Sequence, residues 1–183
     1  MRYLVVLILA FSLMLTSCSE VNGQERLAYQ QSKLYVEAEF TFGDESIQAI
    51  LELEAPEFDS DGRMLARNAV LSFSENSIIS GVGFVYSGGD VYVTTGDLKI
   101  PIDNSRTTTG ISEMISLFCI SEDSYYSSER VTKDGIALER SVYINGDNRV
   151  EVTIDPECEL PTDISAVIDG RELSCDIKLI KAE

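Results

Sequence analysis

The chain has 183 residues, with 14 Lys and Arg against 31 Asp and Glu, a formal net charge of -17, and neither His nor Trp. That sign of charge opposes the phosphate backbone, which excludes nucleic-acid binding. The absence of His removes Ser-His and Cys-His nucleophile pairs and most zinc and copper sites. The length suits one domain, and the 44% apolar share suits a folded chain.

Residues 1–20 read MRYLVVLILAFSLMLTSCSE, with Arg2 the only charge ahead of Glu20 and an apolar run from Tyr3 to Leu15 broken only by Ser12. The run is too short to span a bilayer as a helix, which takes about 20 residues. It has the length of a signal-peptide core. Leu15-Thr16-Ser17-Cys18 resembles a lipobox, the site at which bacterial lipoproteins are cut and acylated, for example with palmitate, on the Cys that becomes the new N-terminus. The alternative is an ordinary secretory signal with Cys18 there by chance. On the lipobox reading the chain divides into a signal peptide at 1–17, a lipidated Cys18 with a polar tether over 18–33, and a single domain over 34–183. The domain then sits on the extracytoplasmic face of the cell membrane. Acyl chains must hold it there, because an acidic surface is repelled by anionic head groups. A short helix around Gln24–Gln31 is compatible with the tether.

From Leu34 the apolar period is two. Leu34, Val36, Ala38, Phe40 and Phe42 alternate with Tyr35, Glu37, Glu39 and Thr41. After the Gly43-Asp44-Glu45-Ser46 turn, Ile47, Ala49, Leu51 and Leu53 alternate with Gln48, Ile50, Glu52 and Glu54. This pattern predicts a hairpin with one apolar and one acidic face. A loop runs from Ala55 to about Arg63, with Pro56 and Asp61-Gly62 as turn signals. Ala69, Leu71 and Phe73 mark a third strand. Val82, Phe84 and Tyr86, then Val91 and Val93, then Leu98, Ile100 and Ile102 continue the meander through turns at Gly88-Gly89 and Gly96-Asp97. Pro101 implies an edge or strand end.

Over 110–121 the period changes. Ile111, Met114, Ile115, Phe118 and Cys119 fall on one helical face after Thr107-Thr108-Thr109-Gly110. Strands then resume: Ile136, Leu138, Val142 and Ile144 on one face, then Val150, Val152 and Ile154, then Ile164, Ala166 and Ile168, then Leu173, Cys175, Ile177 and Leu179. The expected fold is mainly β (α+β): an antiparallel curved sheet or half-barrel of about ten strands wrapped around one or two helices. The helical stripe is expected to dock on the apolar face, touching Phe40, Phe42, Leu71, Phe84, Val142 and Ile177.

The order sheet, helix, sheet, together with Phe73…Ser80-Gly81-Val82, Gly88-Gly89, Leu98…Pro101 and Asp155-Pro156…Leu160-Pro161, resembles the outer-membrane lipoprotein carrier (LolA-like) superfamily over roughly 34–181. It is most similar to the small lipidated members of single-membrane bacteria. The resemblance implies a half-barrel around helices with an apolar concavity that holds acyl chains. The carrier itself is a soluble shuttle, whereas a lipidated Cys18 anchors this chain.

Few residues suggest chemistry. Glu57-x-Asp59-x-Asp61-Gly62 opens like a calcium loop, but the twelfth position is Asn68, so a solvated acidic turn is expected and no metal. Arg140 shares the apolar parity of its strand, where an unpaired buried charge is costly. It is expected either at a cavity mouth or snorkelling outward. Cys119, Cys158 and Cys175 remain beside Cys18. The expected disulfide joins Cys158 to Cys175, both in the C-terminal meander, with Cys119 a buried thiol that no His activates. No Gly-x-Ser-x-Gly or Ser-x-x-Lys motif is present. Glu37, Glu39, Glu52 and Glu54 read as a solvated face.

Two functions stay open. One is a non-enzymatic lipoprotein, without cofactor, that binds an acyl chain or other apolar ligand in a cavity lined by Phe40, Phe42, Leu71, Phe84, Met114, Phe118, Arg140 and Ile177. The other is a structural or interaction lipoprotein with a self-filled core that binds an envelope protein. A cavity of about 300 Å³ or more with apolar walls favours the first. In either case Cys18→Ala is expected to move the protein from the membrane fraction to the medium or periplasm, because each buried methylene of the lost acyl chains contributes about 0.8 kcal/mol. Cell fractionation checks this, and a membrane-bound variant contradicts it.

Overall fold

The computed structural model describes residues 25–61, 64–65, 67–73, 81–102 and 105–183. Cys18, the expected signal peptide, Gly62 and Ser80 lie outside the described residues. Alternation of apolar and polar side chains yields strands β1 (Leu34–Phe42), β2 (Glu45–Leu53), β3 (Ala69–Phe73), β4 (Gly83–Ser87), β5 (Asp90–Thr95) and β6 (Leu98–Pro101). Helix α1 (Ser105–Ser116) follows. Then come β7 (Tyr125–Lys133), β8 (Ile136–Asn145), β9 (Asn148–Asp155), β10 (Leu160–Ile168) and β11 (Arg171–Ala182). All are antiparallel members of one curved, unclosed sheet in the order β6-β5-β4-β3-β2-β1-β11-β10-β9-β8-β7. The two meanders are therefore joined by their outer chain ends, β1 against β11, with Phe40 opposite Cys175 and Phe42 opposite Leu173. The free edges β6 and β7 flank α1 in sequence, so the helix carries the chain across the concave side from one edge to the other.

The core lies in that concavity. Val36, Phe40, Leu51, Leu71, Val152, Ile164 and Leu173 of the sheet pack with Ile111, Met114, Ile115 and Phe118. Ile111, Met114, Ile115 and Phe118 of the expected helical stripe are buried, Phe118 fully so, while Cys119 is only partly buried, and the helix is displaced toward the N-terminus. It takes in Thr107, Thr108, Thr109 and Gly110, and ends at Ser116. The amides of Phe118 and Cys119 then bond the carbonyls of Ile115 and Ser116 at 3.0 Å, the tighter spacing of a closing turn. Phe118 thus enters the core from the turn rather than from the helix.

Three further readings are corrected. Residues 25–33 are not tether. Glu25–Gln31 form a short 3-10 helix, and Leu27 and Tyr29 are 1% and 4% exposed, so the domain begins ahead of Leu34. Two apolar side chains in a polar stretch were enough to dock it. The face of β8 is inverted. Its register sets Ser141 opposite Val152 and Glu139 opposite Ile154, so Glu139, Ser141 and Tyr143 face inward while Leu138, Arg140 and Val142 face outward. Leu138 and Val142 are nonetheless buried. Lys133, at the tip of the β7–β8 hairpin, reaches Asp163 (3.6 Å) and Asp176 (3.9 Å) on the outer face, so the hairpin curls back over that side. Finally, a bulge where Glu37 and Ala38 meet Leu179 and Ile177 shifts the parity of β11. Ile177 and Ile180 pack inward, and Leu179 is left 40% exposed.

Strand β7 has no apolar alternation in its sequence, YYSSERVTK, because it is an edge with no buried face. At Gly88-Gly89 both residues have positive φ (61° and 91°), as the tight β4–β5 turn requires.

Phe118→Ala is expected to cost about 3–5 kcal/mol, the range for emptying a packed aromatic site. Chemical denaturation of the two proteins measures it.

Candidate functional site

The interior residues expected to line a cavity mostly fill it instead. Phe40 and Phe118 are fully buried, and Leu71 and Met114 are 3% and 4% exposed, all in mutual contact within the core. Phe42, Phe84 and Ile177 are half-buried against that core, and Phe84 meets Phe73 edge-on at 5.8 Å between ring centres. Arg140 is elsewhere. Its side chain lies on the outer face, 41% exposed, between Glu129 (3.6 Å) and Glu151 (3.9 Å). The inverted register of β8 is the reason: its apolar-parity residues point away from the concavity.

The open space lies at the rim. Where the β1–β2 turn, the β10–β11 turn and the first half of α1 approach one another, a groove of about 710 Å³ opens. Phe42, Ile168 and Leu173 form its apolar floor, continuous with the core, and Gly110 presents no side chain to it. Its polar rim carries Arg106 and Arg171 together with Glu45, Glu113 and Glu172, and Arg171 Nη1 lies 3.2 Å from Glu113 Oε1. An apolar floor under a rim of mixed charge is the surface an amphiphile presents in reverse.

The other end of the concavity is closed by a guanidinium that sequence reasoning missed. Arg67 is 2% exposed. Its Nε donates to the carbonyl of Glu54 (2.8 Å), Nη1 to that of Gln30 (3.2 Å) and Nη2 to that of Ser32 (2.5 Å). Burial lowers its pKa, while carbonyl dipoles satisfy its donors without a buried carboxylate. Gln30 continues the network: its Oε1 accepts the amide of Ile120 at 3.1 Å, and its Nε2 donates to the Tyr29 hydroxyl at 3.3 Å. The 3-10 helix, the end of β2 and the turn after α1 are thereby tied together through the side chains of Arg67 and Gln30. The only signal in sequence is an Arg two residues ahead of an apolar alternation, which a solvated loop would also show.

A second polar corner lies under the 3-10 helix. Arg26 Nε is 2.9 Å from Glu139 Oε1, and its guanidinium sits 4.9 Å from the Tyr125 ring centre. Tyr125 meets Tyr143 at 5.9 Å. Burial pushes the Tyr143 hydroxyl up to about 12, against the lowering effect of the Arg26 charge. The Ser141 and Tyr143 hydroxyls are buried without a hydrogen-bond partner among the described residues.

The expected Cys158–Cys175 disulfide does not form; all three described cysteines are free. Cys175 faces the core opposite Ile164, while Cys158 is exposed in the turn before Leu160. From Leu160 to Ile164 the strand alone advances about 13 Å, beyond the ~7 Å limit for bridged Cα atoms. Burial pushes the Cys119 thiol up to about 11, opposed by the Arg67 charge, and burial also raises Cys175. Neither is poised as a nucleophile. In the acidic loop the Asp61 amide donates to Asp59 Oδ1 at 2.9 Å, and no group of three or more metal-ligating side chains is gathered among the described residues. No helix among them is long and apolar enough to cross a membrane.

No family model and no curated protein matches the chain. Solved structures do. A DUF1329 family protein from Desulfovibrio piger is 12% identical, with a TM-score of 0.45, covering 90% of this chain and 92% of its own. LprF from Mycobacterium bovis is 11% identical, with a TM-score of 0.43, covering 88% and 93%. A LolA superfamily protein from Nitrosomonas europaea is 11% identical, with a TM-score of 0.36, covering 89% and 94%. The superfamily that the turn motifs resemble is thus represented among the structures this chain matches.

The raised thiols and phenols fix a direction with pH. Each holds its proton in the folded chain beyond the pH at which the unfolded chain releases it. Their contribution to stability is therefore full below the unfolded values and lost as pH rises through the folded ones. The melting temperature is expected to fall from about pH 9 upward. At pH 8 a thiol reagent is expected to modify Cys158 at once, the part-exposed, less ionised Cys119 more slowly, and Cys175 only on unfolding. Melts across pH and timed thiol titration check the two.

Proposed function

We propose that the chain is a non-enzymatic bacterial lipoprotein, anchored through Cys18 at the extracytoplasmic face of the cell membrane, whose half-barrel takes an acyl chain of an amphiphile at its rim. The observation that carries the reading is the groove of about 710 Å³ floored by Phe42, Ile168 and Leu173 and open to the core beneath. An acyl chain laid on that floor removes apolar surface from water at about 25 cal/mol per Å², while Arg106, Arg171 and the rim carboxylates stay at the level of a polar head. The lack of His, and thiols held protonated by burial, support a binding rather than a catalytic role.

A second reading is favoured by a different observation. Phe40, Leu71, Met114 and Phe118 are at most 4% exposed, so the chain's own side chains occupy the place a carried lipid would take. On this reading the protein is an interaction module for another envelope protein.

Native mass spectrometry of the secreted Cys18→Ala chain, with titration by a fluorescent fatty acid, separates the two. The first reading expects a co-purifying lipid or saturable probe binding that Phe42→Asp weakens by about tenfold or more. No lipid and no probe binding leaves the second.

A further inference from the structure

The rim groove is built by three segments: the β1–β2 turn, the β10–β11 turn and the first half of α1. Strand register fixes which charged side chain shares the face of its apolar floor. Glu45 opens β2 directly opposite Phe42, and Leu173 lies opposite Phe42 on the other flank. Directly paired residues of neighbouring strands project to the same face. Glu45 is therefore a carboxylate on the inward face, beside Phe42. Glu172 precedes Leu173, and its carbonyl accepts the amide of Gly43 at 3.4 Å. Strands β2 and β11 flank β1. Glu45 and Glu172 thus stand on either side of β1, about 10 Å apart across two inter-strand spacings.

The charges of the three segments do not balance. They carry Asp44, Glu45, Glu113, Asp169 and Glu172 against Arg106 and Arg171. Arg171 is taken by Glu113 at 3.2 Å, and Arg106 is itself engaged. Arg149, next to the groove on β9, is held by Glu151 at 2.7 Å. Glu45 and Glu172 are in no ion pair among the described residues. Asp103 and Asn104, just ahead of α1, lie outside the described residues and bring no base to this census. The surplus at the mouth is negative, at the level where the head of an amphiphile sits when its chain lies on the floor. An anionic head meets these carboxylates in a chain of net charge -17, whereas a cationic head finds two counter-charges. An aromatic ring such as Phe42 also attracts a cation to its face.

We infer that the rim groove selects an amphiphile with a cationic head, an alkylammonium or other amine-bearing lipid. Its chain lies on Phe42, Ile168 and Leu173, and its ammonium lies between Glu45 and Glu172. This rests on the first reading above, to which it adds the class of head group. Both carboxylates are exposed, so each contact is partly screened by water, and the two together give a preference of about tenfold. A fatty acid shares the chain and lacks the head, and is the weaker ligand.

The test uses the full chain carrying Cys18→Ala, so that no solubilising detergent is needed. Three probes of one chain length, decyltrimethylammonium, decyl maltoside and decanoate, are titrated by calorimetry below their micelle-forming concentrations. The ammonium probe is expected to bind about tenfold more tightly than the maltoside, and decanoate more weakly than both. Glu45→Gln with Glu172→Gln is expected to close the gap between ammonium and maltoside to within about twofold. A matched control, Glu157→Gln with Glu159→Gln, removes the same charge from the β9–β10 turn, at the other end of β10 from the groove, and is expected to keep the gap. All four positions are exposed, and unchanged melting curves verify the folds. Maltoside or decanoate bound as tightly as the ammonium overturns the cationic head while leaving the acyl-binding reading intact. A gap that survives the groove variant, or that closes as far in the control, does the same. Binding of none of the three probes overturns that reading as well.

Discussion

The pairing of β1 with β11 is the contact on which the rest of the architecture depends. Without it the chain is two separate antiparallel meanders, β1 to β6 and β7 to β11, each with one bare apolar face. Nine register pairs, from Leu34 opposite Ala182 to Phe42 opposite Leu173, join them into one surface curved enough to enclose Phe118 and its neighbours. The pairing brings together residues almost a whole chain length apart, so its loop-closure cost falls late and heavily. It also fixes where the cover can come from. The segment between β6 and β7 must cross from one free edge to the other, and α1 lies on that path.

One helix is too little cover for eleven strands, and the molecule meets the shortfall at its two ends by different means. At one end the 3-10 helix inserts Leu27 and Tyr29 and is tied down by Arg67 and Gln30. At the other, no segment covers Phe42, Ile168 and Leu173 completely, and a groove remains. A chain with more than two acids for each base places two guanidiniums, Arg26 and Arg67, inside this cover rather than on its surface. Arg67 can be buried because the backbone carbonyls of Gln30, Ser32 and Glu54 converge on it as acceptors. Arg26 is held by Glu139, a carboxylate that faces inward only because of the β8 register.

The same arrangement shapes what the protein can bind. A packed middle leaves open grooves toward its ends: one floored by Phe42, Ile168 and Leu173 under a rim of mixed charge, and one beside Phe58, Met64, Cys119 and Ile120. Burial holds the protons on the Cys119 and Cys175 thiols and on the Tyr143 hydroxyl.

Local sequence determined which stretches alternate, and so most strands, the face of α1 that is buried, and the turns. Those outcomes depend on neighbours within a few residues. The Ile111–Met114–Ile115 stripe is buried whatever it packs against, and Leu34 to Phe42 alternates whichever strand lies beside it. Tertiary structure decided what depends on a distant partner. Whether Leu138 or Tyr143 faces the core rests on the register with Val150 and Val152, which the β8 sequence does not carry, since it is apolar at both parities over 142–144. Leu179 lost its place inside to Ile180 through a bulge that opposes β1. Cys158 and Cys175 are near in sequence and kept apart by the strand between them. Arg67 is an ordinary loop cation until the carbonyls of Gln30, Ser32 and Glu54 meet around it, and only the pairing of β1, β2 and β3 brings those two segments there.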